Sequence, residues 1–287
     1  MITQIAGVLF DGFAFGMLLF LLSVGLSVTL GLMNFINLAH GAFAMLGGYV
    51  ALTLTRDANV PFLLAIPAAF VVAALVSVLF ERTLFRRLYR AGELNQVLFT
   101  IGLVFVAAAS AAYVFGTVQQ PIRIPTYLRG SVEVAGVTLG VYRTFLIGVA
   151  LIATAVLVVG LEYTKFGAMV RASVDNQRVA QALGIDVDRV FAATFALGSG
   201  LAGLGGALAI EIVGLDPSFG FHYLVYVLIV VAVGGLGSIG GSFAAAALLG
   251  VSDVAGKYYL PELGAFFIYL VMVGILFFRP LGLFGKR

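Results

Sequence analysis

Apolar runs dominate the chain, and few polar positions interrupt them. They lie at residues 5–31, 40–55, 61–81, 95–117, 143–163, 190–213, 222–236, 241–256 and 263–279. A helix needs about 20 apolar residues to cross the hydrocarbon core of a bilayer. Most of these runs approach or exceed that length, and the pattern therefore predicts transmembrane helices.

Three of the runs, 40–55, 222–236 and 241–256, are too short to cross a bilayer unaided. They flank two irregular stretches, NFINLAHG at 34–41 and GGLGSIGG at 234–241. Short, interrupted segments in the two halves of a chain are typical of a transport pathway. The sequence thus predicts an all-α polytopic membrane protein with about eight to nine transmembrane or half-spanning helices and two glycine- or polar-rich broken segments.

The composition supports a protein whose solvent is lipid. Hydrophobic residues make up 62% of the 287 residues and charged residues 10%, whereas soluble domains carry about 25% charged residues. The 36 glycines suit close helix packing in a membrane. The chain has no cysteine, which excludes disulfides, thiolate metal sites and cysteine nucleophiles. We interpret residues 1–287 as a single transmembrane domain.

The basic residues predict the orientation of the chain. Loop 82–94, loop 164–189 and the C-terminal tail hold eleven of the sixteen Lys and Arg residues. Basic residues are retained on the cytoplasmic face, so we expect the N-terminus outside and the C-terminus in the cytoplasm. The excess of positive charge then needs no nucleic-acid partner. Loop 118–142 becomes an outer cap, and loop 164–189 becomes the sizeable cytoplasmic segment between spans.

Motifs for cofactors and metals are weak. The string GLGSIG fits the dinucleotide pattern G-x-G-x-x-G, but that pattern needs a strand before it, a helix after it and an acid about 20 residues on, and here it lies between two apolar spans. No Walker motif is present, so the chain itself should not bind ATP. His40 and His222 are its two histidines and are far apart in sequence, which argues against a metal site. We expect no enzyme activity and no cofactor in this chain.

The two irregular stretches are the candidate pathway, which we expect to lie near the cytoplasmic side. Polar groups at a helix break are costly in lipid unless they are satisfied internally or face a water-filled path. Side chains that only satisfy the freed backbone groups would explain the same residues. The candidates are Asn34, Asn37, His40, Gly41, Gly235, Gly237 and Ser238.

The acidic residues bear on the class of transporter. Asp11, Glu211, Asp216, Asp253 and Glu262 all fall near the outer ends of the predicted spans or beyond them. Ion-coupled carriers usually place an ionisable group near the middle of the membrane. The pattern therefore disfavours a stand-alone secondary carrier.

Several stretches resemble the branched-chain amino-acid permease family of bacterial ABC importers, of the LivH/LivM type. The similar stretches are GLMNFINLAHG, LFTIGL, GAMVRASVDNQRVAQALGIDVDRV, GGLGSIGG and RPLGLFG, in the family's order over residues 30–285. Gly240 stands where the family often has proline. The compact length is more like the LivH subunit than the LivM subunit.

The resemblance implies a permease subunit that imports branched-chain or related small amino acids across the bacterial inner membrane. It implies as partners a homologous second permease or a second copy, two ATPase subunits that bind ATP, and an extracytoplasmic substrate-binding protein. The alternatives are an ABC permease for another small polar solute, such as urea or amides, and a stand-alone carrier.

Two loops are candidate contacts for these partners. Residues 171–185, RASVDNQRVAQALGI, are predicted to form a short coupling helix on an ATPase, with Arg171, Asp175, Ala180, Gly184 and Ile185 matching the family's loop. Ala180 and Ala182 would allow close approach, Gly184 would turn the chain, and Asp186 or Asp188 would cap the next helix. Arg123 and Arg129 are predicted to dock acidic residues of the binding protein. A solvated connector and solvated loop charges are the simpler alternatives.

Overall fold

The computed structural model describes residues 2–33, 35–89, 91–122 and 124–285. Its helices are α1 (Ile2–Met33), α2 (His40–Arg56), α3 (Phe62–Phe80), α4 (Arg86–Leu88), α5 (Glu93–Phe115), α6 (Val141–Glu162), α7 (Lys165–Asp175), α8 (Gln177–Ala182), α9 (Val187–Val213), α10 (Phe219–Gly234), α11 (Ile239–Tyr259) and α12 (Gly264–Phe278). A π-helical turn, Glu81–Phe85, joins α3 to α4, and a 3-10 turn covers Thr126–Leu128.

Within the described residues, six helical stretches are long and apolar enough to cross a membrane: Ile2–Gly31, Phe62–Leu88, Glu93–Phe115, Val141–Glu162, Val187–Val213 and Ile239–Tyr259. The apolar helices α10 and α12 are shorter, with 16 and 15 residues, and α2 has 17. The expectation that 241–256 is a short segment is wrong, because α11 has 21 residues. It begins where Ser238 Oγ accepts the N–H of Gly241, and it continues through Lys257, which pairs with Asp253 one turn earlier.

Helices α1 and α9 form the centre of the bundle. Within their most apolar windows 83% and 67% of the residues are buried, compared with 17% in α5 and 22% in α6. Glycines bring the central helices into backbone contact: Gly25 lies against Gly198 of α9, and Gly16 lies against Gly250 of α11. Small residues permit this approach where larger ones would keep the backbones apart. The outer helices present apolar faces, as expected of a protein in lipid.

The bundle has two distinguishable ends. At the first, which we call the basic end, Arg86 pairs with Asp188 and the N–H of Phe284 donates to the carbonyl of Gly234. Loop 82–94, loop 164–189 and the C-terminal tail therefore meet there, as the charge pattern predicts. At the other, which we call the hairpin end, strands β1 (Ser131–Val134) and β2 (Val137–Gly140) form an antiparallel hairpin. Its turn holds Ala135 and Gly136 at positive φ.

The chain contains two oppositely directed repeats. In the first, α1 runs to the basic end, residues 35–56 return to the hairpin end, and α3 runs back. In the second, α9, residues 214–234 and α11 follow the reverse directions. In both repeats the middle element is an extended stretch followed by a helix, at 35–39 before α2 and at 214–218 before α10. Inverted repeats with such discontinuous helices are a common plan of transporters.

Candidate translocation site

The first break, residues 35–39, replaces helical hydrogen bonds with bonds to side chains of α5. The N–H of Ile36 donates to Oε1 of Gln96 at 3.1 Å, and the N–H of Leu38 donates to Oγ1 of Thr100 at 3.2 Å. Gln96 in turn donates to the carbonyls of Leu88 and Ala91, both at 3.2 Å. A backbone that leaves the helix inside a membrane needs such internal partners. The extended stretch is therefore held by α5.

Gln96 and Thr100 are functional candidates that sequence reasoning missed. Their exposed fractions are 4% and 0%. They stand four residues apart, so they share one face of α5. A buried amide and hydroxyl on one face of an otherwise apolar span were the available signal, since polar groups are rarely placed in lipid without a partner.

His40 and Asn37 lie inside the protein, each 1% exposed. The His40 ring places Nε2 at 2.9 Å from the carbonyl oxygen of Leu22 in α1. A carbonyl only accepts, so Nε2 carries the proton. The carbonyl of Asn37 accepts the N–H of His40, and its side-chain Oδ1 is buried without a described partner. Asn34 lies outside the described residues. In this conformation Asn37 and His40 are enclosed, and a role in lining the pathway stays a prediction.

The second break, residues 214–218, enters from the hairpin end. Gly214 has a φ of +78°, and the side chain of Leu215 fills the space beside Gly48 of α2. The carbonyl of Leu215 accepts the N–H of Gln120 at 2.7 Å. Oδ1 of Asp216 accepts the N–H of Ser218 at 2.6 Å, which satisfies a free donor at the start of α10.

The first turns of α2 and α10 touch each other. A Cβ atom on Gly41 would overlap the carbonyl oxygen of Gly220. The Phe221 and Phe105 rings are 4.6 Å apart, and Phe105 is the middle of α5 (Glu93–Phe115). The contact therefore lies about halfway along the bundle. Both helices direct their N-termini, the positive ends of their dipoles, at this point. We call the Gly41–Gly220 contact the half-helix junction.

The GGLGSIGG stretch is not the counterpart of NFINLAHG. The segment that faces the first break across the half-helix junction is 214–218, which lies between the predicted spans 190–213 and 222–236. Gly237 instead lies against Gly31 at the basic end of α1. Gly235 and Gly237 have φ values of +94° and +76°, and Ser238 caps α11. The stretch is a tight turn between α10 and α11, for which glycine is required.

This turn shares a cavity with the loop predicted to couple. A cavity of about 420 Å³ is bounded by Gly237 and Ser238 on one side and by Gly167 and Arg171 on the other. The Arg171 guanidinium donates to the carbonyl of Leu161 at the end of α6. Gly237 and Ser238 thus group with α7 and Gly235 with Gly285 of the C-terminal tail, while Asn37, His40 and Gly41 group with the half-helix junction.

The predicted coupling helix, 171–185, is two helices. Asn176 separates α7 from α8: its backbone is extended, and its side chain accepts the N–H of Val179 at 3.1 Å to cap α8. Gly184 has a φ of +84°, and the N–H of Ile185 donates to the carbonyl of Ala180, closing a Schellman motif. Asp186 caps α9 by accepting the N–H of Arg189, as expected.

The face of α8 that points away from the bundle differs from the expected one. Ala180 is 1% exposed and packs inward, so it cannot provide the close approach to a partner. Val179 and Leu183, 52% and 76% exposed, are the apolar residues that α8 and its C-terminal turn present to solvent. Asp175 and Arg171 are also exposed.

A charged cluster at the basic end connects α9 to α4. Arg86 pairs with Asp188, and the Tyr89 hydroxyl donates to Oε1 of the buried Glu81 at 3.0 Å. Burial raises the pKa of Tyr89, and the Glu81 carboxylate raises it further, so the phenol stays a donor. The cluster fixes the π-helical turn to the first turn of α9.

At the hairpin end Arg129 is exposed and donates through Nε to the carbonyl of Ile124 at 2.9 Å. Arg123 lies outside the described residues. One acid is more deeply placed than the sequence suggested: Asp253 is 1% exposed within α11. Lys257 Nζ lies 2.6 Å from its Oδ2, so the carboxylate already has a fixed counter-charge within the chain.

The profile of the family described as "branched-chain amino acid transport system / permease component" matches residues 8–276. A probable branched-chain amino acid transport permease protein LivH of Methanocaldococcus jannaschii is 29% identical, over 93% of this chain and 89% of that protein. The high-affinity LivH permeases of Salmonella typhimurium and Escherichia coli K12 are 25% and 24% identical, each over 97% of this chain and 94% of theirs. No solved structure matches.

The profile and the relatives confirm the resemblance seen in the motifs. They also confirm a polytopic membrane permease in place of an enzyme, because the family is one of transporter components. The bundle of apolar helices, with two broken spans that meet halfway, is an architecture suited to that role. The chain belongs to the branched-chain amino acid transport permease family.

Proposed function

We propose that this chain is a permease subunit of an ABC importer for branched-chain or related small amino acids in the bacterial inner membrane. The half-helix junction supports the proposal most directly, because two discontinuous spans that meet halfway form a movable barrier between the two ends. The relatives are named as branched-chain amino acid permeases. A homologous second permease or a second copy, two ATPases that bind ATP, and an extracytoplasmic binding protein complete the machine.

The proposed orientation places the basic end in the cytoplasm. The chain then crosses nine times, because residues 35–56 and 214–234 each cross as an extended stretch plus a helix. The N-terminus lies outside and the C-terminus inside. Loop 118–142, with Arg129 exposed on it, faces the binding protein, and α7 and α8 face the ATPases.

We assign the break residues a structural part in this mechanism. His40 holds the start of α2 against α1, Asn37 accepts the N–H of His40 through its carbonyl, and Gly41 allows the half-helix junction to close. Gly235, Gly237 and Ser238 belong to the turn at the basic end, and this turn borders the cavity that Arg171 also lines. Movement of α7 is thereby passed to the turn between α10 and α11, which ends the second broken span.

The test is reconstitution of the chain in proteoliposomes with its permease partner, the ATPases and the binding protein. We expect leucine, isoleucine or valine uptake that requires both ATP and the loaded binding protein. Uptake of urea or amides in their place would support the alternative substrate. Uptake by this chain alone, driven by an ion gradient, would contradict an ABC permease; the Lys257 partner of Asp253 argues against that outcome.

A further inference from the structure

One exposed face of α10 carries two polar residues about halfway along the bundle, where lipid is an unfavourable neighbour for them. Ser218, the residue before α10, and His222 are exposed, and Val225 and Leu228 continue the same stripe at 45% and 36% exposure. The spacing of four, three and three residues places all four on one side of the helix. We call this set the α10 stripe.

The depth of the two polar members follows from their neighbours. Gly220, between them in sequence, touches Gly41 at the half-helix junction, and the adjacent Phe221 ring stacks against Phe105 in the middle of α5. Ser218 and His222 therefore lie about halfway between the two ends. Val225 and Leu228, which follow in sequence, lie closer to the basic end.

The chain itself does not satisfy the His222 ring. Within the described residues it stacks on Tyr226 at 5.9 Å, but no described residue forms a hydrogen bond with it. An imidazole in hydrocarbon without such a partner loses its hydrogen bonds to water without any compensation, which strongly disfavours that position. Polar side chains in spans accordingly face a bundle interior or a water-filled cavity. A lipid-facing position for this stripe is excluded on that ground.

We propose that the α10 stripe lines the water-filled path of the substrate, between this chain and the second permease, with Ser218 and His222 at the narrowest level. The inference rests on the proposed function and deepens it by naming the pathway residues. It assigns the lining to side chains that sequence reasoning had not selected. His40, next to Gly41 of the half-helix junction, is bonded to α1 and to the carbonyl of Asn37 instead.

The chemistry of the stripe fits a small zwitterion with an apolar side chain. The Ser218 hydroxyl donates to Oδ1 of Asp216, so its oxygen remains free to accept from an ammonium group, while the His222 ring can donate to a carboxylate. The Asp216 carboxylate already occupies the positive end of α10 and therefore favours the ammonium group on that side. Val225 and Leu228 then provide an apolar wall toward the basic end.

The absence of cysteine from the chain makes the test direct. Single variants Ser218→Cys and His222→Cys are assembled in the complete complex and treated in membranes with a membrane-impermeant thiol reagent. The modification of this chain is measured by gel shift. Only thiolates react, and they form in water but not in lipid. The controls are Ile152→Cys on α6 and Leu270→Cys on α12, which are 67% and 63% exposed on apolar faces.

We expect both stripe variants to react at least about tenfold faster than both controls, in either the nucleotide-free or the ATP-trapped state, and substrate to slow the reaction. Rates equal to the controls in every state would overturn the proposal. Crosslinking of His222→Cys to the second permease without any reaction with the reagent would show a dry interface only, and would also overturn it.

The reaction rate reports water access whatever the transported solute is. Failure of the proposed function, seen as absent amino-acid uptake by the parent complex, is therefore distinguishable from failure of this inference. A second pair of variants adds a functional readout. His222→Leu should lower uptake at least about tenfold, whereas His222→Gln, which keeps hydrogen bonding, should retain most of it. Equal uptake by the two would contradict contact with the substrate.

Discussion

Single polar residues in the first break act on the backbone. Gln96 accepts the N–H of Ile36 and donates to two carbonyls, so one side chain replaces several helical hydrogen bonds. Thr100 does the same for Leu38. The extended stretch at 35–39 thus depends on a neighbouring helix for its polar partners, and its stability can be tested there.

Gln96→Leu should destabilise the protein by about 1–3 kcal/mol, because it leaves a buried N–H and two carbonyls without partners. The measurement is the thermal unfolding midpoint of the purified complex in detergent. Ser110→Ala is the matched control, since Ser110 is an exposed residue of α5 that bonds only to the carbonyl of Val106 in its own helix. An equal effect of both variants would contradict the assigned role of Gln96.

The half-helix junction makes an asymmetric prediction for its two glycines. A Cβ on Gly41 would overlap the carbonyl oxygen of Gly220, whereas a Cβ on Gly220 would lie at an ordinary 3.4 Å from Gly41. Gly41→Ala should therefore cost about 1–3 kcal/mol through overpacking, and Gly220→Ala clearly less. Thermal unfolding and uptake of the two variants check this, and similar losses would speak against the described contact.

At the scale of elements, the ends of α8 are set by local chemistry that the sequence displays. Gly184 has open space around it, so a larger residue there meets only the cost of its positive φ. Gly184→Val should destabilise the loop by about 1–2 kcal/mol, while Gly184→Asn, which tolerates this conformation, should cost less. Proteolysis of the 164–189 loop in the assembled complex measures the difference, and identical cleavage rates would refute it.

Docking of α8 on an ATPase makes a second prediction at this scale. Leu183→Glu should reduce the ATPase stimulation by the loaded binding protein at least about tenfold, because a charge in an apolar contact must be desolvated. Gln181→Glu adds the same charge two residues away, on a different exposed side of the helix, and is the matched control. Wild-type stimulation in Leu183→Glu, with normal assembly, would exclude α8 as the contact.

Helices with strong apolar runs could be predicted from the sequence, and so could the capping by Asp186 and the turn at Gly184. The second break could not. Its residues, Gly214 to Ser218, have the composition of an ordinary loop, and only the packing of Leu215 against Gly48 and of the following Gly220 against Gly41 places them inside the bundle. The GGLGSIGG stretch shows the opposite error. Its glycines predict a broken span, but in the structure they form a turn. Glycine content reports backbone freedom but not depth.

The sequence also could not predict which face of a short helix is buried and which is exposed. Ala180 is equally compatible with either face of α8, and only tertiary packing decides that it is buried. The α10 stripe could not be predicted for a related reason. His222 is the first residue of the predicted span 222–236, and a polar residue is common at the end of a span. In the structure this residue lies in the middle of the bundle.

For the whole molecule, the gathering of basic residues at one end predicts its orientation. Single cysteines at Val132 in the hairpin and at Leu183 after α8 are both exposed, at 54% and 76%. In cells that produce the permeases without the ATPases, which would cover Leu183, an impermeant reagent should label Val132→Cys in intact spheroplasts and Leu183→Cys only after permeabilisation. The reverse result would turn the molecule over in the membrane.

The opposite direction of the two repeats has a consequence for vectorial transport. One repeat has its extended-then-helical span entering from the basic end, and the other has the same kind of span entering from the hairpin end. The two repeats alone therefore give transport no preferred direction. The asymmetry resides in the pieces without a counterpart: α7 and α8 at one end, the small hairpin at the other. The direction of transport, import or export, is then decided at the two ends of the bundle, by the partner proteins that bind α7 and α8 and those that bind the hairpin.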